Sequence, residues 1–313
     1  MKKLTLLFVL LAVLLVFTGT VMAQDKPYIA IVSKGFQHQF WQAVRQGAKQ
    51  AAEDYDVEIT YEGPESETQV ANQIDMLQTA VDKNPDALVF AALDTQAALP
   101  LIEEVDSKGI PIIAFDSGID SDIPVTTAAT DNYVASSYAA DKMAELIGYQ
   151  GKVAAIVQDQ TSLTGRKRRD GFLDRIKNSY PEIEIVDVQY GGGDHLKSTD
   201  LAKSIIESNP DLDGFFGANE GSAVGIVNAI MELGRDDIAT IGFDSGSILL
   251  DAIRNGIIDG AITQNPVGIG YRAVEAAVKA IKGEELPEMI DTGFYYYNKR
   301  NMDSEILQPL LYK

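Results

Sequence analysis

Cysteine is absent from the 313-residue chain, which excludes disulfides, thiol catalysis and Cys-type metal sites. It also removes the usual acceptor for a bacterial lipid anchor, a cysteine just after a secretory signal. Histidine is almost as scarce, with only His38 and His195. They share no metal-ligand spacing, and no serine sits in a Gly-x-Ser-x-Gly elbow. No metal, cofactor or catalytic residue is expected on these grounds. Positive charge is short too: 26 Lys and Arg face 46 Asp and Glu, a net charge of −20. A surface this acidic repels phosphate backbones, so nucleic acid is not an expected partner. Glycine-rich phosphate loops are missing as well. Gly191-Gly-Gly-Asp-His-Leu-Lys-Ser198 lacks a glycine directly before its lysine, and no Gly-x-Gly-x-x-Gly follows the first strand.

What is present begins with Met1-Lys-Lys, an apolar run from Leu4 to Phe17, and small side chains at Val21 and Ala23 before Gln24. This is the pattern of a cleavable secretory signal over residues 1–23. The run is short for a bilayer-spanning helix, which needs about 20 apolar residues. Loss of Lys2 and Lys3 with the signal turns −20 into −22. A freely diffusing, monomeric periplasmic protein is expected, and the remaining residues suffice for two domains.

From Tyr28 onward strands and helices alternate. Strands are expected over Tyr28–Ser33, Val57–Tyr61, Ala87–Ala91, Ile110–Phe115 and Val125–Ala129, with helices over Phe40–Asp54, Glu67–Asp82 and Ala97–Ser107. The series then starts afresh. Strands Lys152–Val157, Ile183–Val188, Gly214–Phe216, Ala239–Phe243 and Gly260–Thr263 follow or separate further helices between Tyr133 and Arg254. Such alternation implies right-handed βαβ units, hence an α/β protein of two similar, doubly wound parallel-sheet domains. A helix over Gly268–Lys282 and extended pieces at Met289–Asp291 and Phe294–Tyr297 imply that the chain crosses back between the halves. Crossings lying side by side would form a multi-strand hinge below a cleft. The expected N-terminal lobe is 27–131 plus 265–291; the C-terminal lobe is 132–264 plus 292–313.

One phrase occurs twice. Ile110-Pro-Ile-Ile-Ala-Phe-Asp-Ser-Gly118 and Ile238-Ala-Thr-Ile-Gly-Phe-Asp-Ser-Gly246 are apolar runs that stop at Phe-Asp-Ser-Gly. In an open parallel sheet, ligands bind outside the carboxyl ends of the strands. Asp116 and Asp244 therefore stand where a ligand would be, one from each half. Other strand ends supply Asn219 and Gln264, whose amides both donate and accept and so suit hydroxyl groups. Phe36, Phe40 and Trp41 cluster after the first strand and offer apolar faces to a sugar ring. Within Arg166-Lys-Arg-Arg169, one guanidinium placed in the cleft would bridge two ligand oxygens. An aspartate pair leaves a second class open, a secreted glycoside hydrolase using Asp116 and Asp244.

At these residues the chain resembles the periplasmic monosaccharide-binding proteins of the ribose-binding type, the receptors of ABC importers. The similarity runs from about Tyr28 to about Asn298 and rests on the aromatic pair, Phe115-Asp116, Arg168-x-x-Gly-Phe172, Asn219, Gly242-Phe-Asp244 and Gln264. It implies that Phe40 and Trp41 sandwich a sugar ring while Asp116, Arg168, Asn219, Asp244 and Gln264 bond its hydroxyls. It departs from the ribose binder at Ser117, where that protein has arginine, and near Gly193, where an aromatic is missing. The longer loop after the first strand adds Lys34, Gln37 and His38, and Ser117 joins them as further ligand-binding candidates. The resemblance implies a sugar ligand, a membrane permease partner and possible service to a chemoreceptor. A receptor for a furanosyl quorum-sensing signal is the alternative within the same fold.

Overall fold

From Tyr28 onward the short apolar runs of the sequence become strands in two six-stranded sheets. The structure, a computed structural model, describes residues 26–312; the proposed secretory signal lies outside the described residues. The first sheet contains β1 (Tyr28–Val32), β2 (Glu58–Glu62), β3 (Ala87–Phe90), β4 (Ile112–Phe115), β5 (Thr126–Ala129) and β11 (Met289–Asp291), in the order β11-β5-β4-β3-β1-β2. The second contains β6 (Gly151–Val157), β7 (Ile183–Tyr190), β8 (Gly214–Gly217), β9 (Ala239–Phe243), β10 (Gly260–Gln264) and β12 (Phe294–Asn298), in the order β12-β10-β9-β8-β6-β7. All pairings are parallel except β10 with β12. The two domains thus repeat one topology, closed at the same edge by a strand from the C-terminal segment.

Both faces of each sheet are covered, which is why the strands read as continuous apolar runs. In β1, Ile29 and Ile31 face α1 (Gln39–Tyr55) and α9 (Pro266–Ile281), while Ala30 and Val32 face α2 (Val70–Asp82) and α3 (Thr95–Ser107). In β6, Ala154 and Ile156 meet α6 (His195–Ser208), α7 (Glu220–Leu233) and α8 (Ser247–Asn255), while Val153, Ala155 and Val157 meet α4 (Asn132–Leu146) and α5 (Leu163–Ser179). Among the described residues no helix is long and apolar enough to cross a membrane.

The expected elements form with shifted ends. At α2 the helix starts at Val70 instead of Glu67. Local turn bonds compete with the helix there: Gln69 N–H donates to Ser66 carbonyl oxygen at 3.1 Å, and Glu65 N–H donates to Gln69 Oε1 at 3.1 Å. Glu67 is left on a loop, free to turn inward.

Helix α9 belongs to the first sheet although it follows β10 of the second. Its contact with α1 is close because both helices put glycine at the crossing. A Cβ on Gly47 would lie 1.9 Å from the Val267 carbonyl oxygen, and one on Gly270 would lie 1.9 Å from that of Val44. Backbone cannot yield there as a flexible side chain would. Gly270→Ala is therefore expected to cost about 1–3 kcal/mol, read as a lower melting temperature. A melting temperature equal to wild type would show that the helices separate freely. The crossing matters for the site, since α1 carries the aromatic pair.

Candidate functional site

The carboxyl ends of both sheets point into one cleft. Lys34 follows β1, Asp116 follows β4, Gln158 follows β6, Asn219 lies just past β8, Asp244 follows β9, and Gln264 ends β10. These six, with His38, Phe40, Trp41, Glu67, Thr164 and Arg168, line a single cavity between the lobes. Water centres have about 20 Å³ of room inside it, little more than one molecule requires. Anything as large as a sugar ring enters only as the lobes part.

The repeated aspartates are set by backbone as well as position. Asp116 has φ 53° and Asp244 φ 78°, the left-handed region that aspartate tolerates better than most residues. Asp116 N–H donates to Ala128 carbonyl oxygen at 3.0 Å, and Asp244 N–H to that of Ile262 at 2.6 Å. Each aspartate is thereby tied to the next strand of its own sheet while its side chain turns into the cleft. The hinge strand adds support, for Tyr297 Oη donates to the Asp244 carbonyl oxygen at 2.8 Å.

Electrostatically the two are not alike. The Asp244 carboxylate accepts from Gln264 Nε2 at 2.7 Å and from Glu220 N–H at 3.1 Å, with Arg168 Nη1 at 3.8 Å. Asp116 is buried among opposing influences. Desolvation dominates and pushes its pKa up to about 6, against the pull of Lys34 and Arg168 and with the repulsion of Glu67 and Asp244.

Arg168 is the one member of the basic run that turns inward, 3% exposed. Its Nε donates to Asn132 Oδ1 at 2.7 Å and its Nη1 to Ala218 carbonyl oxygen at 2.9 Å, while the guanidinium lies 3.8 Å over the Phe243 ring. That leaves the outer edge of the fork for the cavity. Asn219 serves twice. Its Oδ1 caps α7 by accepting from Ser222 N–H at 2.9 Å, which leaves its amide nitrogen for the cleft.

Phe40 and Trp41 stand in the first turn of α1, ring to ring at 5.0 Å and 85°. Both line the cavity and both are packed into the first core. Trp41 Nε1 donates to Glu67 Oε1 at 2.8 Å, and Lys34 Nζ lies 4.0 Å from Glu67 Oε2 and 3.2 Å from Thr164 Oγ1. Burial alone would raise the Glu67 pKa, but Lys34 chief among its neighbours brings it below the usual value. Burial alone would lower that of Lys34, but Glu67, Asp159 and Asp116 raise it.

Of the further candidates, Lys34 and His38 line the cavity. Gln37 and Ser117 do not. Gln37 Nε2 instead bridges the lobes to Gly193 carbonyl oxygen at 3.0 Å, and Ser117 lines a neighbouring hollow, 3.4 Å from the Thr164 hydroxyl. Glu67, Gln158 and Thr164 line the cavity although the sequence reading passed over them. Tyr312 does not line the cavity but packs beside it. Its backbone pairs with Ser245 and Gly246, and its ring meets Phe40 edge-on at 6.1 Å.

Two α/β lobes that hold a polar cavity between the carboxyl ends of their sheets define a ligand-clasping receptor. Residues 29–285 match the family model described as periplasmic binding protein domain, and the chain belongs to that family. It is 25% identical over 279 residues to the D-apiose import binding protein of Actinobacillus succinogenes, covering 87% of this chain and 89% of that one. The ribose import binding protein of Escherichia coli is 24% identical over 286 residues, with 91% and 95% covered. Among solved structures, an ABC transporter solute-binding protein of Agrobacterium vitis bound to α-D-tagatopyranose superposes with a TM-score of 0.89 at 29% identity, covering 92% of this chain and 100% of that one. A carbohydrate transporter solute-binding protein of Agrobacterium radiobacter, in complex with D-arabinose, gives 0.86 at 31%, with 93% and 99% covered.

Proposed function

We propose that the chain captures a monosaccharide in the interlobe cavity by hinge closure and delivers it to an ABC transporter permease. The observation that carries this reading is the convergence of Asp116 from one lobe with Asp244, Arg168, Asn219 and Gln264 from the other, around two aromatic side chains. Hydroxyl groups need partners that donate and accept, and the ring's C–H face needs an apolar surface. A sugar touching both lobes favours the closed form by the contacts it makes only there. In this reading Phe40, Trp41, Asp116, Arg168, Asn219, Asp244 and Gln264 hold the ligand, with Lys34 and His38 beside them. The protein itself performs no chemistry and works as a periplasmic monomer. The lobes divide at 131, 264 and 291, a division that the pairing of β11 with β5 and of β12 with β10 supports.

A thermal-shift screen of pentoses, hexoses and polyols tests the reading. A ligand that binds only the native state adds RT ln(1 + [L]/Kd), about 4 kcal/mol at 1,000 times Kd, so a true ligand should raise the melting temperature by several degrees. No shift with any sugar at millimolar concentration would sink the proposal. Steady release of product from a glycoside would replace it with hydrolysis.

A further inference from the structure

The chain's only two histidines meet across the cleft. His38 precedes α1 in the first lobe and His195 opens α6 in the second, and their rings stack at 5.6 Å with 22° between planes. Glu220, the first residue of α7, brings its carboxylate to the same point, with Oε1 4.0 Å from His38 Nδ1. A ligand atom from each of the three lies within 4.8 Å of the others. Two of these side chains are nearly inaccessible, His38 at 2% and Glu220 at 6% exposed, and His38 Nδ1 and Glu220 Oε2 have no hydrogen-bond partner. Two orphaned polar atoms in one buried place call for a shared partner.

We propose that His38, His195 and Glu220 form a divalent transition-metal site that joins the two lobes in the closed form. Two imidazoles and one carboxylate suit Zn²⁺ and its first-row neighbours and are poor ligands for Mg²⁺ or Ca²⁺. Three protein ligands leave a fourth position open to water, on the side where His195 is only half-buried. Bonds of about 2.0–2.2 Å to N and O place ligand atoms roughly 3.3 Å apart, so side-chain movements of under an ångström or so complete the site. Three helix N-termini converge here and oppose a cation. Glu67 and Asp244 counter them, being near enough to repel the charge of Glu220.

Gln37 sets the resting tautomer. Its Nε2 lies 2.8 Å from His38 Nε2 and donates to the Gly193 carbonyl oxygen at 3.0 Å, so without metal His38 accepts at Nε2 and carries its proton on Nδ1. Metal at Nδ1 displaces that proton and leaves one on Nε2, so the Gln37 amide moves off the ring while it keeps its bond to Gly193. Because the ligands come from both lobes, the ion binds the closed form better than the open one and shifts the population accordingly. This holds independently of which sugar the cleft takes.

The chain suits the test, since no cysteine or third histidine competes. Tag-free protein, stripped with EDTA, is titrated with Co²⁺ and then Zn²⁺. A single equivalent of Co²⁺ should produce visible bands of four- or five-coordinate geometry, which Zn²⁺ displaces, and Zn²⁺ should lower the radius of gyration in X-ray scattering. His195→Ala and Glu220→Gln should lose more than the roughly 10–100-fold in affinity typical of supporting residues. His195 is partly exposed, so the metal-free melting temperature of His195→Ala should match wild type and show that the fold is intact. Absence of saturable binding overturns the site. Binding that persists in His195→Ala places the ion on the acidic surface and overturns it equally. Binding without compaction overturns the joining of the lobes.

Discussion

In an Asp244→Ala variant, affinity for the sugar found by thermal shift is expected to fall by roughly 30- to 3,000-fold, the equivalent of about 2–5 kcal/mol for removing one partner of a buried, hydrogen-bonded charge. The loss has two sources. The ligand's hydroxyls lose an ionised acceptor, and Arg168, Gln264 and the Glu220 N–H lose the oxygens they face at 3.8, 2.7 and 3.1 Å. Arg168 keeps its bonds to Asn132 and Ala218, so the guanidinium stays in place without its counter-charge. The backbone of residue 244 keeps its ladder bond to Ile262, and Tyr297 still bonds its carbonyl. The variant should therefore fold, with an unchanged far-ultraviolet circular dichroism spectrum. Calorimetry showing affinity within about threefold of wild type, under 1 kcal/mol, would remove Asp244 from the site.

The architecture was readable because strands buried on both faces announce themselves as short apolar runs, and the ends of those runs point to the cleft. Asp116, Asn219, Asp244 and Gln264 were found in that way, each standing at or just past the end of a buried strand. Arg168 could be singled out only by resemblance, since four basic residues in a row do not say which one turns inward. Glu67 was hidden by a misplaced helix start. Gln158, the first polar side chain past β6, carried the same signal and was passed over, while Thr164 gave none, because its contact with Lys34 spans the two lobes. The same holds for His195 and Glu220. Sequence spacing carries ligand sets that lie on one element, whereas this group is assembled by three helix starts brought together in space. Tyr312 sits in a terminal stretch without regular structure, where no periodicity marks a residue as buried.

The second Phe-Asp-Ser-Gly differs from the first in what surrounds its carboxylate, and pH should expose the difference. Burial in the closed cleft pushes the Asp116 pKa up to about 6, and parting the lobes would hydrate the carboxyl and bring its pKa down toward the ordinary 3.8. A group whose pKa is raised by closure favours closure fully below its lower value and loses that contribution as pH rises through the higher one. The displacement of about two pH units is worth about 3 kcal/mol against the closed form above pH 6. Sugar-free wild type, kept in EDTA, should therefore have a larger radius of gyration at pH 7.5 than at pH 4.5. Asp116→Asn carries no charge to bury at that position, so its radius of gyration should rise less between the two pH values, the remaining rise coming from Glu220, whose pKa burial pushes up to about 8. Other groups titrate equally in the two proteins, and the difference between them isolates Asp116; identical pH profiles would refute the assignment. A sugar hydroxyl donating to the ionised carboxylate offsets the same cost, so the ligand closes a form that the empty cleft resists at neutral pH. For that reason the asparagine variant should close more readily and yet bind sugar more weakly, by roughly tenfold or more for a lost charge-assisted hydrogen bond.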